Sequence, residues 1–403
     1  MRQVFEGIKV AELIWAETGP LITKYLADHG ATVIHIESTT RVDTARMSPP
    51  YKDNVVGPDR GGFYVDRNSN KYSATLNLNH PKGIEIAKKF VAWADIFVEA
   101  FTAGTTKKWG LAYEDLKKIK PDIIMLSTCI FGQTGPRASL PGLGSQLTGL
   151  AGFVHLTGWP DREAAQPFGP HTDYLVPSLG GAALIAALDY RRRTGRGQYL
   201  DLSQYEAALQ YLSPPLLAYS ANNEVAIRDG NRCQYTAPHG VYPCKGDDRW
   251  CAIAVASDKE WESFCQAIGN PAWTNDPKFS TLLGRKENED KLNALIANWT
   301  SNFEAEEVMG RMQSAGVPAG VVQNCKDIQE DLQLWHRNYF TKLDHPVIGK
   351  HTVGRSPFIL SQSPAKINKH APCLGQDNEY VYTQILGIPD DQFIELLNAG
   401  VFE

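Results

Sequence analysis

An α/β protein built on a parallel sheet, joined to a second and smaller α+β lobe, is the architecture this sequence predicts. Three observations carry the expectation. Short β-rich runs alternate with helical patterns through the first half. Polar loop residues then gather at Asn222, Asn223, Asp229, Gly230 and Asn231, and 403 residues exceed what one hydrophobic core usually organises. We expect a large Rossmann-like domain over 1–220, a small α+β domain over 221–330, and a C-terminal segment, 331–403, that packs back on the large domain.

Taken in order, Lys9 to Ile14 has the β-rich content of a strand. Pro20 suits the start of a helix, and Leu21, Tyr25 and Leu26 recur at helical spacing until Gly30 ends it. Thr32 to Ile36 is the second strand of this βαβ unit. The pattern repeats as a helix from Pro81 to Trp93, a strand from Ile96 to Glu99, a helical stretch around Tyr113 to Lys118 and a strand from Ile123 to Ser127. Val176 to Arg193 reads as a helix with a small-residue face, Gly180, Gly181, Ala182, Ala183, Ala186 and Ala187, suited to close packing. It ends in Arg191, Arg192 and Arg193, where positive charge complements the helix C-terminus. Leu200 to Leu202 is a strand, followed by a helix near Gln204. In the smaller lobe, Arg249 to Val255 is a strand, and helices are expected over Asp258–Ile268, Arg285–Trp299 and Glu304–Ala315. A last helix is expected around Asp390 to Asn398.

Composition narrows the function. Hydrophobic residues make up 43% and charged residues 21%, as in ordinary globular proteins, and the net charge of −5 lacks the basic surplus of a nucleic-acid binder. Met1 to Lys9 has no signal-peptide layout and no stretch approaches ~18 apolar residues, so a cytoplasmic address is expected. Seven cysteines are spread without C-x-x-C spacing, which argues against a zinc or redox site and against a disulfide framework. No metal is expected. Gly142 with Gly144, and Gly195 with Gly197, lack the third glycine and the context of a dinucleotide fingerprint. No P-loop, G-x-S-x-G elbow or H-E-x-x-H pattern occurs.

Two local features remain. Asp173, in Pro170-His171-Thr172-Asp173-Tyr174, stands just before the expected start of the small-faced helix, where a carboxylate is either an N-cap or a reactive group. Pro238, His239 and Gly240, in Ala237-Pro238-His239-Gly240-Val241-Tyr242, are either turn punctuation or a flexible loop that covers an acyl group.

Ordered blocks along nearly the whole chain resemble the family III CoA-transferases (the CaiB/BaiF type), which include formyl-CoA transferase and carnitine CoA-transferase. Gly19-Pro20 with Leu26-Ala27-Asp28-His29-Gly30-Ala31-Thr32-Val33-Ile34-His35-Ile36-Glu37 is similar to that family's opening unit. Asn68-Ser69-Asn70-Lys71, Ala94-Asp95-Ile96-Phe97-Val98-Glu99, Gly110-Leu111, Phe131-Gly132-Gln133-Thr134-Gly135-Pro136, Thr194-Gly195-Arg196-Gly197-Gln198 and Gly316-Val317-Pro318-Ala319-Gly320 follow in order. The resemblance implies a soluble enzyme that moves CoA from an acyl-CoA thioester to a free carboxylic acid. Asp173 would be the nucleophile, passing through an acyl anhydride and an aspartyl-CoA thioester. CoA is then a co-substrate, no cofactor is tightly held, and Glu17, Thr18, Leu76, Phe101 and Lys108 are its expected contacts. An interlocked dimer, with itself or with a paralogous subunit, is implied as well.

Departures from the pattern shape the substrate expectation. Ala100-Phe101-Thr102-Ala103-Gly104 replaces the common Asn-Phe-Arg-Pro-Gly, and Ser38 stands where some members carry Arg; Arg41 and Arg46 are the candidate replacements for phosphate contacts. Ala237-Pro238-His239-Gly240 replaces a glycine-rich loop and, with an aromatic-rich N-terminal lobe, suggests a bulky or aromatic acid such as benzylsuccinate, with succinyl-CoA as donor; Trp15, Phe63 and Tyr64 either line that pocket or, as the safer reading, pack in the core. The related α-methylacyl-CoA racemases pair the aspartate with a histidine, but Leu143 stands at that place and carries no proton, which leaves a racemase-like isomerase second. A non-catalytic subunit of a heteromeric CoA-transferase is the third reading.

Overall fold

The computed structural model describes residues 2–403 and divides into two compact units. The first comprises residues up to His155, Ala165–Ala226 and Leu334–Glu403; the second comprises Leu156–Ala164 and Ile227–Gln333.

Six parallel strands form the centre of the first unit: β1 (Lys9–Leu13), β2 (Thr32–Glu37), β3 (Tyr72–Thr75), β4 (Ile96–Glu99), β5 (Ile124–Cys129) and β6 (Tyr199–Ser203). Their spatial order is β3-β2-β1-β4-β5-β6, the doubly wound order. Sequence dictates this through the leading halves of β1, β2, β4 and β5, which are apolar on both faces, as a sheet covered on two sides requires. Val10, Val33, Ile96 and Ile124 face one core, shared with Ile22, Leu26, Leu184 and Ala187. Their chain neighbours Ala11, Ile34, Phe97 and Met125 face the other, shared with Ile86, Phe90, Tyr382 and Phe402.

The helices Thr18–Asp28 and His171–Thr194 cover the first face and Pro81–Trp93 the second. The small-residue face of the long helix has its reason here: a Cβ on Gly180 would lie 2.4 Å from Ile22 Cδ1. That helix begins at His171, five residues before the expected Val176, and carries Pro177 in its second turn. Proline donates no N–H to the carbonyl four residues back, so the turn around Asp173 lacks one helical hydrogen bond.

The chain returns at its end to the first unit. Tyr382 Oη donates to Thr75 O at 2.5 Å, Thr75 Oγ1 donates to Phe402 O at 2.8 Å, and the Tyr382 and Phe402 rings stack at 3.9 Å. A hairpin, β10 (Phe340–His345) with β11 (Gly349–Gly354), lies in the same returning segment.

In the second unit β7 (His239–Pro243), β8 (Trp250–Ala254) and β9 (Ala319–Val321) make an antiparallel sheet in that order. Its inner face, Tyr242, Cys251 and Ile253, packs with Trp261, Phe264, Leu292, Ile296, Val308 and Met312 from the helices Asp258–Ala267, Glu289–Thr300 and Ala305–Ser314. All seven cysteines are free.

Candidate active site

In a doubly wound sheet the loops after adjacent strands part where the strand order reverses, opening a crevice at the carboxyl ends. Here that point lies between β1 and β4, and the loops that follow them supply Trp15 and Phe101. The two rings meet edge to face at 5.8 Å. Both line two neighbouring cavities.

The first cavity, about 240 Å³, is lined by Glu17, Thr18, Ile130, Leu143 and Gly144 around Asp173. The second, about 280 Å³, is lined by Arg41, Leu76, Asn77, Asn79 and Thr105. Five predicted contacts and the predicted nucleophile therefore meet on one edge of the sheet: Glu17, Thr18, Phe101 and Asp173 in one cavity, Arg41, Leu76 and again Phe101 in the other. Lys108 lies outside both, exposed at the end of the short helix Thr105–Lys108.

Asp173 is the third residue of its helix; Pro170 holds the N-cap position, and no side-chain capping bond is made there. The N-cap reading of Asp173 is thus replaced by a carboxylate inside the first turn. Its Oδ1 is buried and has no hydrogen-bond partner. Burial, reinforced by the nearby Glu17 carboxylate, pushes its pKa up to about 7, against the helix dipole that favours the anion.

What holds the carboxylate in place was not legible as a motif. A Cβ on Gly144 would lie 2.3–2.4 Å from Cγ and both oxygens of Asp173, so that side chain rests on a bare backbone. Thr148 Oγ1 at 2.8 Å and Thr172 Oγ1 at 3.2 Å both donate to Gly144 O and fix it there. Gly142 and Gly144 failed as a dinucleotide fingerprint, and their spacing gave no other signal.

Glu17 stands at the N-cap position of the helix Thr18–Asp28 without a side-chain capping bond and is itself buried. Arg67 Nε donates to its two oxygens at 2.9 and 3.0 Å, which counters only part of the burial: the Glu17 pKa stays raised. Arg67 is a second residue that sequence reading missed. Nothing local marks a partner fifty positions away.

The two candidate arginines separate. Arg41 is exposed, stands over the Trp15 ring at 5.3 Å and lines the second cavity. Arg46 is fully buried, pairs with Glu37 at 2.7 Å and Asp59 at 3.0 Å, and stacks on Tyr64 at 3.6 Å, so its charge is already engaged and it is corrected to a core residue. Tyr64 is likewise core rather than pocket, with 1% exposure.

Pro238, His239 and Gly240 belong to the second unit. Both the turn and the loop readings give way to a strand: His239 and Gly240 open β7 and pair with Ala254 and Ile253 of β8, while Pro238 O accepts from Val255 N at 2.9 Å. Antiparallel pairing fixed what isolated Pro and Gly suggested was free. His239 and Gly240 line a cavity of about 380 Å³ with Asn231 and Pro318. Among the described residues no group of three or more His, Cys, Asp or Glu is placed to hold a metal, and no helix is long and apolar enough to cross a membrane.

A doubly wound parallel sheet whose switch point opens into two cavities defines an α/β protein that receives its ligand at the strand carboxyl ends. Residues 5–378 match the model of CoA-transferase family III. The chain is 31% identical over 393 residues to the succinyl-CoA–D-citramalate CoA-transferase of Chloroflexus aurantiacus, covering 97% of this chain and 96% of that one. It is 30% identical over 403 residues to the beta subunit of that organism's succinyl-CoA–L-malate CoA-transferase, covering 98% and 97%. A crystal structure of a CaiB/BaiF family protein from Brucella suis superposes with a TM-score of 0.87 at 28% identity, over 96% of this chain and all of that one. This chain belongs to CoA-transferase family III, and is an enzyme of the CoA-transferase type.

Proposed function

We propose that this enzyme moves CoA from succinyl-CoA to a free carboxylic acid with Asp173 as the covalent nucleophile. The observation that carries the reading is the Asp173 carboxylate: shielded, with one oxygen lacking any partner, and set in a cavity beside the crevice where CoA is expected to lie. An oxygen without a hydrogen bond keeps its lone pairs for an acyl carbon. Attack on the thioester gives a mixed anhydride and frees CoA thiolate. Return of the thiolate to the Asp173 carbonyl expels succinate and leaves an aspartyl-CoA thioester. The acceptor carboxylate then attacks that thioester to form a second anhydride, and CoA thiolate returns once more to its acyl carbon. One thioester replaces another, so no ATP is consumed.

Both Chloroflexus relatives are named for succinyl-CoA, which supports that donor. For the acceptor we propose a bulky or aromatic acid, benzylsuccinate among them. The support is the wall of the Asp173 cavity, which Trp15, Phe101, Ile130, Phe131, Leu140 and Leu143 make largely apolar. Arg41 in the second cavity suits the anionic end of CoA. Leu143 offers no proton carrier opposite Asp173, which is why transfer rather than racemisation is proposed.

A dimer, with a second copy or a paralogous subunit, is part of the proposal. The helix Ser213–Asn222 has no buried residue, although Leu216, Leu217 and Tyr219 make its surface apolar at 51–66% exposure. A surface of that kind supports the dimer reading.

The test is a panel of acids, citramalate, malate, glutarate and benzylsuccinate, each incubated with succinyl-CoA and followed by mass spectrometry. New acyl-CoA is expected, together with hydroxylamine-sensitive label on the peptide that contains Asp173. Exchange of α-protons without CoA transfer would overturn the assignment. Because the reacting group must be ionised, kcat/KM should rise with pH and level off above an apparent pKa near 7. A flat profile between pH 5 and 8 would contradict the buried carboxylate as base form.

A further inference from the structure

Beneath the loop that carries Trp15 and Glu17 lies a chain of buried charges that the proposed chemistry does not use. Lys71 Nζ donates to Glu12 Oε1 at 2.8 Å, and Glu12 Oε1 lies 2.7 Å from His35 Nδ1. His35 Nε2 faces Asp43 Oδ2 at 3.5 Å and Glu37 Oε2 at 3.7 Å. All five of these side chains are buried. The surrounding carboxylates outweigh burial and raise the His35 pKa to about 9, so the imidazolium sits between Glu12 and Asp43 as a fixed positive charge.

The far end of the chain reaches the active site. Asp43 Oδ1 accepts Ala16 N–H at 2.7 Å and Ala45 N–H at 2.8 Å. Ala16 has φ +65°, a left-handed backbone that L-residues other than Asn and Asp seldom adopt. Something must hold it there, and the Asp43 carboxylate is bonded to that very amide. Ala16 and Thr44, the neighbours of Glu17 and Asp43, both line the cavity that contains Asp173.

We propose that Asp43 is a positioning residue for CoA transfer: by holding Ala16 in the left-handed conformation it aims Trp15 and Glu17 at the cavity of Asp173. Asp43 touches no reacting atom. It acts through its hydrogen bond to Ala16 N–H, with the positively charged His35 ring 3.5 Å from its other oxygen. The proposal rests on the reading of that cavity as the transfer site.

The test is a cycle of Asp43→Ala, Ala16→Gly and the double variant, assayed with succinyl-CoA. Asp43→Ala is expected to lower kcat about 30-fold with less than a threefold change in KM. Glycine occupies φ +65° without cost, so adding Ala16→Gly to Asp43→Ala should recover about five- to thirtyfold of kcat. A folded Asp43→Ala enzyme with kcat within threefold of the parent overturns the proposal. So does a loss that Ala16→Gly does not relieve, which would make Asp43 a residue of the fold alone. If Asp43→Ala does not fold, Ala16→Pro decides: it deletes the same N–H and forbids the same φ, and parental kcat in that variant overturns the idea. Activity in Asp173→Asn would sink the parent reading instead, and is measured separately.

Discussion

Asp173→Asn is expected to lose CoA transfer by at least about 10³-fold, more than ~4 kcal/mol of barrier, because an amide cannot form the anhydride or the thioester. Intact-mass analysis with succinyl-CoA should show no covalent adduct. The same variant should be more stable than its parent, and the sign follows from linkage. The folded-state pKa of about 7 lies above the ordinary 3.8, so the unfolded chain ionises first and the parent loses stability as pH rises from about 4 to about 7. The amide escapes that loss. At pH 8 we expect a gain of about 3 kcal/mol in urea unfolding, shrinking toward zero below about pH 4. An Asn variant that transfers CoA at the parental rate would remove Asp173 from the mechanism.

Gly144→Ala is the second substitution with a large expected effect. The new methyl would stand 2.3–2.4 Å from the Asp173 carboxyl, and Thr148 and Thr172 hold the Gly144 carbonyl so that the backbone cannot easily retreat. The carboxylate must rotate off its attacking line, and misplacement by about 1 Å costs on the order of 10²-fold. We therefore expect kcat to fall about 10²-fold with circular dichroism unchanged. Gly149→Ala provides the control within the same helix, since nothing lies within 4 Å of its Cβ. Parental turnover in Gly144→Ala would mean that the carboxylate does not react from the position seen here.

The large-scale fold was readable because strands buried on both faces leave an apolar mark that needs no tertiary information. Helix Pro81–Trp93 and helix Asp390–Asn398 match their expected ends, where proline and charged first turns punctuate the chain. Short or context-dependent elements were harder. β3 has four residues, Tyr72 to Thr75, between Asn70-Lys71 and Asn77, too few to show a period. The long helix was placed late because its small-residue face begins at Gly180, whereas the helix starts at His171 and carries Pro177 within its second turn. Strand β7 was read as a loop because its order comes from β8 rather than from its own residues.

The site divides in the same way. Asp173, Glu17, Thr18, Leu76 and Phe101 were named by the family resemblance, and they line the cavities of the switch point. The supports that fix them do not. Gly144, Arg67 and Asp43 each act on a residue 27 to 50 positions distant, through a missing methyl, an ion pair and a backbone amide. Arg46 looked available for phosphate because a sequence shows charge but not the Glu37 and Asp59 that consume it.

The returning segment sets an order of events during synthesis. Phe402 stacks on Tyr382 against a core that Ala11 and Ile34 began nearly four hundred residues earlier. While the ribosome is still translating, one side of the central sheet lacks its final cover. The first unit should thus reach its native protection only once the segment from Asn378 to Phe402 has docked, and hydrogen exchange on chains truncated before Asn378 should find β3 open.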